Sequence, residues 1–385
     1  MRKENQPTAG RESRPHIGIY GRCNAGKSTL LNFITQGDFA LVAPQPGTTT
    51  DPVRKSYEIL GFAPVVFIDT AGLDDPTELG EKRRSKTLET LPQIDLALLV
   101  FRRWGDPEEA IRDRFDRDGI PYLLIQNRYA GEEEEKSDIY NIPINLLQVG
   151  IPDRDRLLAE IRRILPERSY ILPSMFEGKA GPDDIVLLVC PIDSEAPSGR
   201  LILPQVQAIR ALLDTHAVPI VVQPEQIPAV FRQGLTPKLV VTDSQAFAEV
   251  RSAVPAGIEI TSFSILLARQ KGDYAAYSEG LQVIDRLRSG DRVLILENCL
   301  HQNSCEDIGR VKIPRLLQQH CGCDLAFTIV SGLAPLPADL ERYALAVQCG
   351  GCMVTRSQLQ NRIRAVRRAG VAITNYGMLL NALTQ

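Results

Sequence analysis

Short apolar runs alternate with amphipathic stretches from residue 16 onward, and the alternation recurs three times along the chain. Apolar runs bounded by turn formers predict buried strands, and apolar positions at helical spacing between them predict covering helices. In the first third the strands fall at His16–Tyr20, Val65–Ile68, Leu96–Phe101 and Tyr122–Gln126, and a helix at about Asp153–Leu165 closes the unit. Strands and helices in this order predict an α/β fold on a doubly wound parallel sheet. The stretch Pro166–Pro182, with Pro and Gly and little periodicity, reads as a linker.

A second alternation places strands at Ile185–Val189, Pro219–Val222, Leu239–Thr242 and Ile258–Phe263, with helices at Val206–Leu213 and Ser244–Val254. No residues of obvious chemistry line it, so a structural or self-association role is expected. The third places strands at Arg292–Glu297, Leu325–Val330, Leu345–Val347 and Val371–Thr374, with helices at Ile308–Gln319 and Ser357–Ala369. The last two units are expected to be smaller parallel-sheet domains.

Composition narrows the class. The 385 residues carry a net charge of -3 with 44% hydrophobic and 24% charged positions, an ordinary globular balance without the basic excess of a nucleic-acid binder. The first fifteen residues are polar, and no apolar run approaches the ~18 residues of a membrane span. A soluble, cytoplasmic protein with neither membrane nor nucleic-acid partners is expected. Six of the eight cysteines (Cys299, Cys305, Cys321, Cys323, Cys349, Cys352) lie at or beyond position 299. In a reducing compartment such grouping points to metal binding or redox chemistry. Cys190, at the end of an apolar run, reads as a small buried hydrophobe.

Gly21-Arg22-Cys23-Asn24-Ala25-Gly26-Lys27-Ser28 fits the pattern G-x-x-x-x-G-K-[ST] between a predicted strand and a helical pattern at Thr29–Ile34. Glycines let backbone N–H groups curl around phosphates, Lys27 reaches the β and γ phosphates, Ser28 binds Mg2+, and the helix N-terminus adds a favourable dipole. Asp69-Thr70-Ala71-Gly72 ends the strand Val65–Ile68, where a P-loop enzyme keeps an Asp near Mg2+ and a Gly that senses the γ phosphate. Between the two, Gly47-Thr48-Thr49-Thr50-Asp51 offers a threonine, best Thr49, to complete the Mg2+ shell. With Thr29, Thr48, Asn127 and Arg128, these residues form the expected nucleotide site.

Residues 16–101 resemble the translation-factor-related GTPases of the Era and MnmE type. The resemblance implies that Asn24 binds a K+ ion, which would supply transition-state charge as an arginine finger does. Leu73 stands where Ras-like proteins carry a water-orienting Gln, so unaided hydrolysis should be slow. The base-reading N-K-x-D is here Asn127-Arg128-Tyr129-Ala130; its Asp is lost, which leaves guanine specificity open. The acidic run Glu132–Glu135 is expected to be a solvated loop.

Cys299-Leu300-His301 and Gln348-Cys349-Gly350-Gly351-Cys352 form the second constellation. Cys299 follows one predicted strand and Cys349 another, so they could meet at one sheet edge. Three thiolates can hold three corners of an iron-sulfur cube, four ligands including His301 would suit structural zinc, and Cys349 with Cys352 alone would suit a redox dithiol. Gly350 and Gly351 would let the backbone wrap a cluster closely. Cys321, Cys323, His216 and His320 are expected to be bystanders.

Across all three units the chain resembles the maturation GTPases of FeFe-hydrogenase. The stretches Asp193–Val206, Glu306–Arg315, Cys349–Cys352 and Ile373–Gly377 carry the resemblance, and Gln348 departs from the family's second His. It implies a tail over 1–15, a P-loop GTPase domain over 16–168, a linker over 169–183, a dimerisation domain over 184–265 and a cluster domain over 266–385. It also implies a 4Fe-4S cluster on Cys299, Cys349 and Cys352, with His301 and Glu306 as candidate ligands of the fourth iron, beside Mg2+, K+ and GTP or GDP. The implied role is a homodimeric scaffold that receives a diiron precursor of the H-cluster and passes it to apo-hydrogenase, with the radical-SAM maturases HydE and HydG as further partners. The competing expectations are an Era/MnmE-like GTPase of tRNA modification or ribosome assembly with a structural zinc site, and a thiol oxidoreductase.

Overall fold

A computed structural model describes residues 14–35, 41–44, 53–58, 64–74, 78–128, 142–144, 151–165, 172–192, 201–298 and 308–383. They divide into two compact units, one of residues 1–171 with 355–361 and one of residues 172–354 with 362–385. The first unit contains β1 (His16–Tyr20), α1 (Lys27–Thr35), β2 (Leu41–Pro44), β3 (Val53–Glu58), β4 (Pro64–Asp69), α2 (Glu78–Glu89), β5 (Leu96–Phe101), α3 (Asp106–Asp118), β6 (Tyr122–Asn127), β7 (Ile142–Ile144) and α4 (Ile151–Ile164). They form one seven-stranded sheet in the order β2-β3-β4-β1-β5-β6-β7. The β2–β3 and β3–β4 pairs are antiparallel and the rest parallel.

Both faces of the sheet are covered, which is why its central strands read as continuous apolar runs. On one face Ile17, Ile19, Leu98, Val100 and Ile125 pack with Leu30, Leu31 and Ile34 of α1 and Leu157 and Ile161 of α4. On the other, Tyr20, Ile68, Leu99, Phe101 and Leu124 pack with Ile111 and Phe115 of α3. The α3 boundaries are local: Pro107 and three acidic residues sit in the first turn, and Gly119 ends the helix at φ 67°.

The second unit continues with β8 (Ile185–Val189), α5 (Leu203–Asp214), β9 (Val218–Val222), α6 (Ile227–Arg232), β10 (Leu239–Thr242), α7 (Phe247–Ala253), β11 (Glu259–Ser262), α8 (Phe263–Gln270) and α9 (Tyr274–Leu281). Then follow β12 (Arg292–Glu297), a π-helical turn (Ile308–Lys312), α10 (Ile313–Cys321), β13 (Ala326–Ser331), β14 (Leu345–Gln348), α11 (Arg356–Arg368, shared between the units), β15 (Ala372–Asn375) and α12 (Tyr376–Leu383). Two four-stranded sheets result, ordered β11-β10-β8-β9 and β13-β12-β14-β15, with every pair parallel. Met175 and Phe176, inside the stretch read as a linker, are buried in the core of the first of these sheets beside Val186, Leu188 and Val241.

Two features of this topology position the site. β12 and β14 are neighbours with Leu296 opposite Gln348, so the residues that leave their carboxyl ends emerge together. Helix α8, which follows the middle sheet, packs against α12 and β15 of the last sheet. No helix among the described residues is long and apolar enough to cross a membrane.

Candidate nucleotide and metal centres

The loop between β1 and α1 curls as the motif requires. Gly21 and Gly26 take φ values of 144° and 106°, and Asn24 sits in the left-handed region at 59°. A Cβ at Gly21 would collide with the carbonyl oxygen of Val100, so only glycine lets the loop pass over β5. Lys27 is buried, and its Nζ donates to the carbonyls of Gly21 at 3.0 Å and Arg22 at 2.7 Å. Burial lowers its pKa from the ordinary lysine value, against the pull of the neighbouring acidic groups. Ala25 is buried, while Asn24, Ser28 and Thr29 are exposed.

Ser28 Oγ donates to Asp69 Oδ2 at 3.1 Å, which joins the two phosphate motifs. The other oxygen, Asp69 Oδ1, is buried without a hydrogen-bond partner, and burial raises the carboxyl pKa. A hydroxyl and a carboxylate with an unused buried oxygen are a donor set that fits Mg2+. Thr70 Oγ1 donates to the Ile19 carbonyl at 2.6 Å, and the Leu73 N–H donates to the Gly21 carbonyl at 3.2 Å. Gly72 lies against the loop so closely that a Cβ there would overlap Cys23 Sγ. Asn127, at the end of β6, is buried, and its Nδ2 donates to the Ala25 carbonyl at 3.0 Å. Arg128 is half-buried. Thr48, Thr49, Ala130 and Glu132–Glu135 lie outside the described residues.

Two contacts here carry no motif. Arg22 forms a bidentate pair with Glu108, whose side chain is 1% exposed, and the Cys23 N–H donates to Asp74 Oδ1 at 2.6 Å. The second ties the phosphate loop to the residues after Gly72.

At the other centre, the strand pairing brings Asn298, directly before Cys299, onto Cys349. The Asn298 backbone N–H lies 3.1 Å from Cys349 Sγ and its Nδ2 lies 3.4 Å from it, both as donors. Arg362 of α11 donates from Nη1 to Asn298 Oδ1 at 3.3 Å and from Nη2 to the Ala334 carbonyl at 2.7 Å. Burial lowers the Arg362 pKa to about 10, opposed by the charge of Cys349. Lys271, just past α8 and fully buried, donates from Nζ to the carbonyls of Gly351, Cys352 and Val354, each at 3.3 Å. Gly351 has φ 66°, and a Cβ on Gly350 would touch Leu267 at 3.5 Å. Cys352 packs on the middle domain's core and Cys349 on that of the last sheet.

Gln348 is fully buried on β14. Its Oε1 accepts from Tyr277 at 2.8 Å. Cys299, His301, Cys305 and Glu306 lie outside the described residues, among which no group of three His, Cys, Asp or Glu is placed to hold a metal. What the described residues do fit is an anionic thiolate centre: amide donors aimed at one sulfur, a glycine turn between two thiols, and buried cations behind them. Cys321 and Cys323 point to the carbonyls of Ile284 and Leu287. Lys271, Asn298 and Arg362 were not legible in the sequence, because no spacing links position 271, 298 or 362 to the Cys349–Cys352 turn.

A strand, a phosphate-cradling loop, a helix and a neighbouring D-x-x-G define a P-loop GTPase domain, and residues 16–128 match the family described as 50S ribosome-binding GTPase. Residues 175–272 match the Hydrogen maturase F dimerization domain and residues 275–385 the Hydrogen maturase F tetramerization domain. Behind its GTPase domain the chain therefore carries two consecutive domains that match those of hydrogen maturase F.

Among curated relatives, GTPase Era of Caldicellulosiruptor saccharolyticus is 29% identical over 175 residues, which cover 41% of this chain and 58% of that protein. The tRNA modification GTPase MnmE of Prochlorococcus marinus is 36% identical over 129 residues, 32% of this chain and 26% of that protein. The chain thus spans less than two thirds of either relative. A crystal structure of Era in complex with MgGDPNP and nucleotides 1506–1542 of 16S ribosomal RNA matches with a TM-score of 0.33 at 18% identity, over 54% of this chain and 93% of that one.

Proposed function

We propose that the protein is a GTP-hydrolysing scaffold of FeFe-hydrogenase maturation that carries a 4Fe-4S cluster and transfers a diiron precursor of the H-cluster to apo-hydrogenase. The observation that carries this reading is the convergence of Asn298, the residue before Cys299, on Cys349 in a chain whose last two domains match hydrogen maturase F. Cys299, Cys349 and Cys352 are the cluster ligands of this reading, and His301 and Glu306 the weaker ligands that would let the fourth iron exchange. A cytoplasmic homodimer built through the middle domain, with the radical-SAM maturases and apo-hydrogenase as partners, completes it.

In hydrolysis, backbone N–H groups of Gly21–Ser28 hold the phosphates and Lys27 exchanges its loop carbonyls for phosphate oxygens. Ser28, Asp69 and Thr49 would hold Mg2+, which neutralises developing charge on the phosphates, and Asn24 would hold K+ for the same purpose. With Leu73 buried in place of a water-orienting side chain, the intrinsic rate is slow, which suits a switch more than a metabolic turnover. Gly72 senses the γ phosphate, and its close approach to Cys23 makes any movement of Asp69–Asp74 a movement against the phosphate loop.

The test is an anaerobic iron, sulfide and zinc assay with EPR of the reduced protein, on wild type and Cys349→Ser. About four iron and four sulfide per chain, lost in the variant while nucleotide hydrolysis persists, is the expected result. One zinc and no iron after anaerobic reconstitution would move the assignment to a zinc-stabilised GTPase of RNA metabolism.

A further inference from the structure

Arg362 is 4% exposed, and among the described residues its guanidinium meets only neutral acceptors, the side-chain oxygen of Asn298 and the carbonyl of Ala334. A guanidinium taken out of water without an anion is costly, and buried cations are ordinarily matched by a negative group. No Asp or Glu among the described residues pairs with it. What the Arg362–Asn298 hydrogen bond leads to is sulfur: the same Asn298 amide that accepts from Nη1 of Arg362 donates through Nδ2 to Cys349 Sγ, and its backbone N–H donates there too.

Each link polarises the next. Donation from a cation into Asn298 Oδ1 draws density from the amide and strengthens the N–H that faces the sulfur. Donors to a thiolate withdraw charge from it, and a nearby cation in a low-dielectric setting favours whichever redox state carries the more negative charge.

We propose that Arg362 and Asn298 form a charge-compensating relay for an anionic metal–thiolate centre at Cys349, acting as positioning residues that raise the reduction potential of that centre without ligating it. The proposal rests on the cluster reading above. In it, the oxidised centre would take one electron from dithionite, which is oxidised in turn, and the buried guanidinium would offset the negative charge added to the reduced centre.

The experiment is an EPR-monitored potentiometric titration with dithionite of the anaerobically reconstituted full chain, with iron content measured on each sample. The variants are Asn298→Ala, Asn298→Asp, Arg362→Gln and Arg362→Lys. Asn298→Ala removes the Nδ2 donor and the acceptor for Arg362 but keeps the backbone N–H, and should shift the midpoint negative with iron retained. Asn298→Asp adds negative charge and should shift it further. Arg362→Gln should shift it negative and Arg362→Lys should restore most of the wild-type value. Should Arg362→Gln fail to fold by circular dichroism, the two Asn298 variants and Arg362→Lys decide. Iron-loaded Asn298 variants with the wild-type midpoint overturn this proposal alone. Wild-type protein that takes up zinc and no iron overturns the cluster reading and this proposal with it.

Discussion

The ammonium of Lys271, buried at the end of α8, donates to the carbonyl oxygen of Gly351 at 3.3 Å inside the Cys349–Cys352 turn. The carbonyls of Cys352 and Val354 converge on the same nitrogen, so the middle domain supplies the cation around which the turn of the last domain is wound. Lys271→Met keeps most of the length and removes the charge. Two buried carbonyls and the half-buried one of Cys352 then lose a donor, and a loss of about 2–4 kcal/mol in urea unfolding is expected. Iron occupancy should fall with it, and nucleotide hydrolysis should not.

Lys27 and Asn24 test the nucleotide site. Lys27→Ala should lower hydrolysis on the order of 100-fold or more in a phosphate-release assay, because the buried cation proposed to bind the phosphates is removed. Asn24 occupies φ 59°, which glycine adopts freely, so Asn24→Gly removes the amide without straining the loop. Wild-type hydrolysis should be faster in K+ than in Na+, and the variant should lose that difference. Equal wild-type rates in the two salts would remove K+ from the assignment.

β9 is an edge strand of the middle sheet, with Val218 47% and Val221 42% exposed. An edge that presents apolar side chains and unpaired backbone groups is suited to pairing with a second copy. Val221→Lys should weaken self-association on the order of 10- to 100-fold, read by sedimentation across micromolar concentrations, because the interface would have to desolvate an ammonium or part around it. Unchanged association would place the interface elsewhere.

His16 makes a pH-dependent contribution to stability. Burial, with Arg54 nearby, lowers its pKa from 6.5 to about 4, so the folded protein holds the ring neutral while the unfolded chain protonates it first. Its stabilisation is therefore complete above pH 6.5 and is lost as pH falls from there towards 4. The difference between wild type and His16→Gln in unfolding free energy should shrink by about 3 kcal/mol across that window, measured by denaturant titration at each pH.

Strand periodicity and the two phosphate motifs were legible along the chain because they are local. A buried parallel strand such as Leu96–Phe101 must be apolar on both faces, and a phosphate loop needs its glycines, lysine and serine within one turn. That the residues after β12 and after β14 could meet at one sheet edge was also readable from the strand ends, and the two strands are neighbours, whereas the part played by Asn298 was not.

The missed elements share a cause. β2 and β7 are short and contain Pro, and β3 carries Arg54, Lys55 and Ser56 in its middle, so their strand character comes from neighbours that supply backbone hydrogen bonds. Phe176 lay in a stretch without period, and burial in the middle core gave it a place that no local pattern announced.

For the cysteine centre the division is sharper. Residue types and the C-G-G-C spacing pointed in the sequence to thiolate chemistry, iron-sulfur, zinc or dithiol, since thiolates and glycines carry that much information in themselves. Its electrostatics came from long-range hydrogen bonds: Lys271 is 80 positions from Gly351, Arg362 is 64 from Asn298, and Asn298 is 51 from Cys349. A lone Lys or Arg in a sequence is ordinarily a solvated surface charge. Only the packed fold takes these two out of water, and puts Lys271 on the carbonyls of the Gly351–Val354 stretch and Arg362 on the amide that faces Cys349.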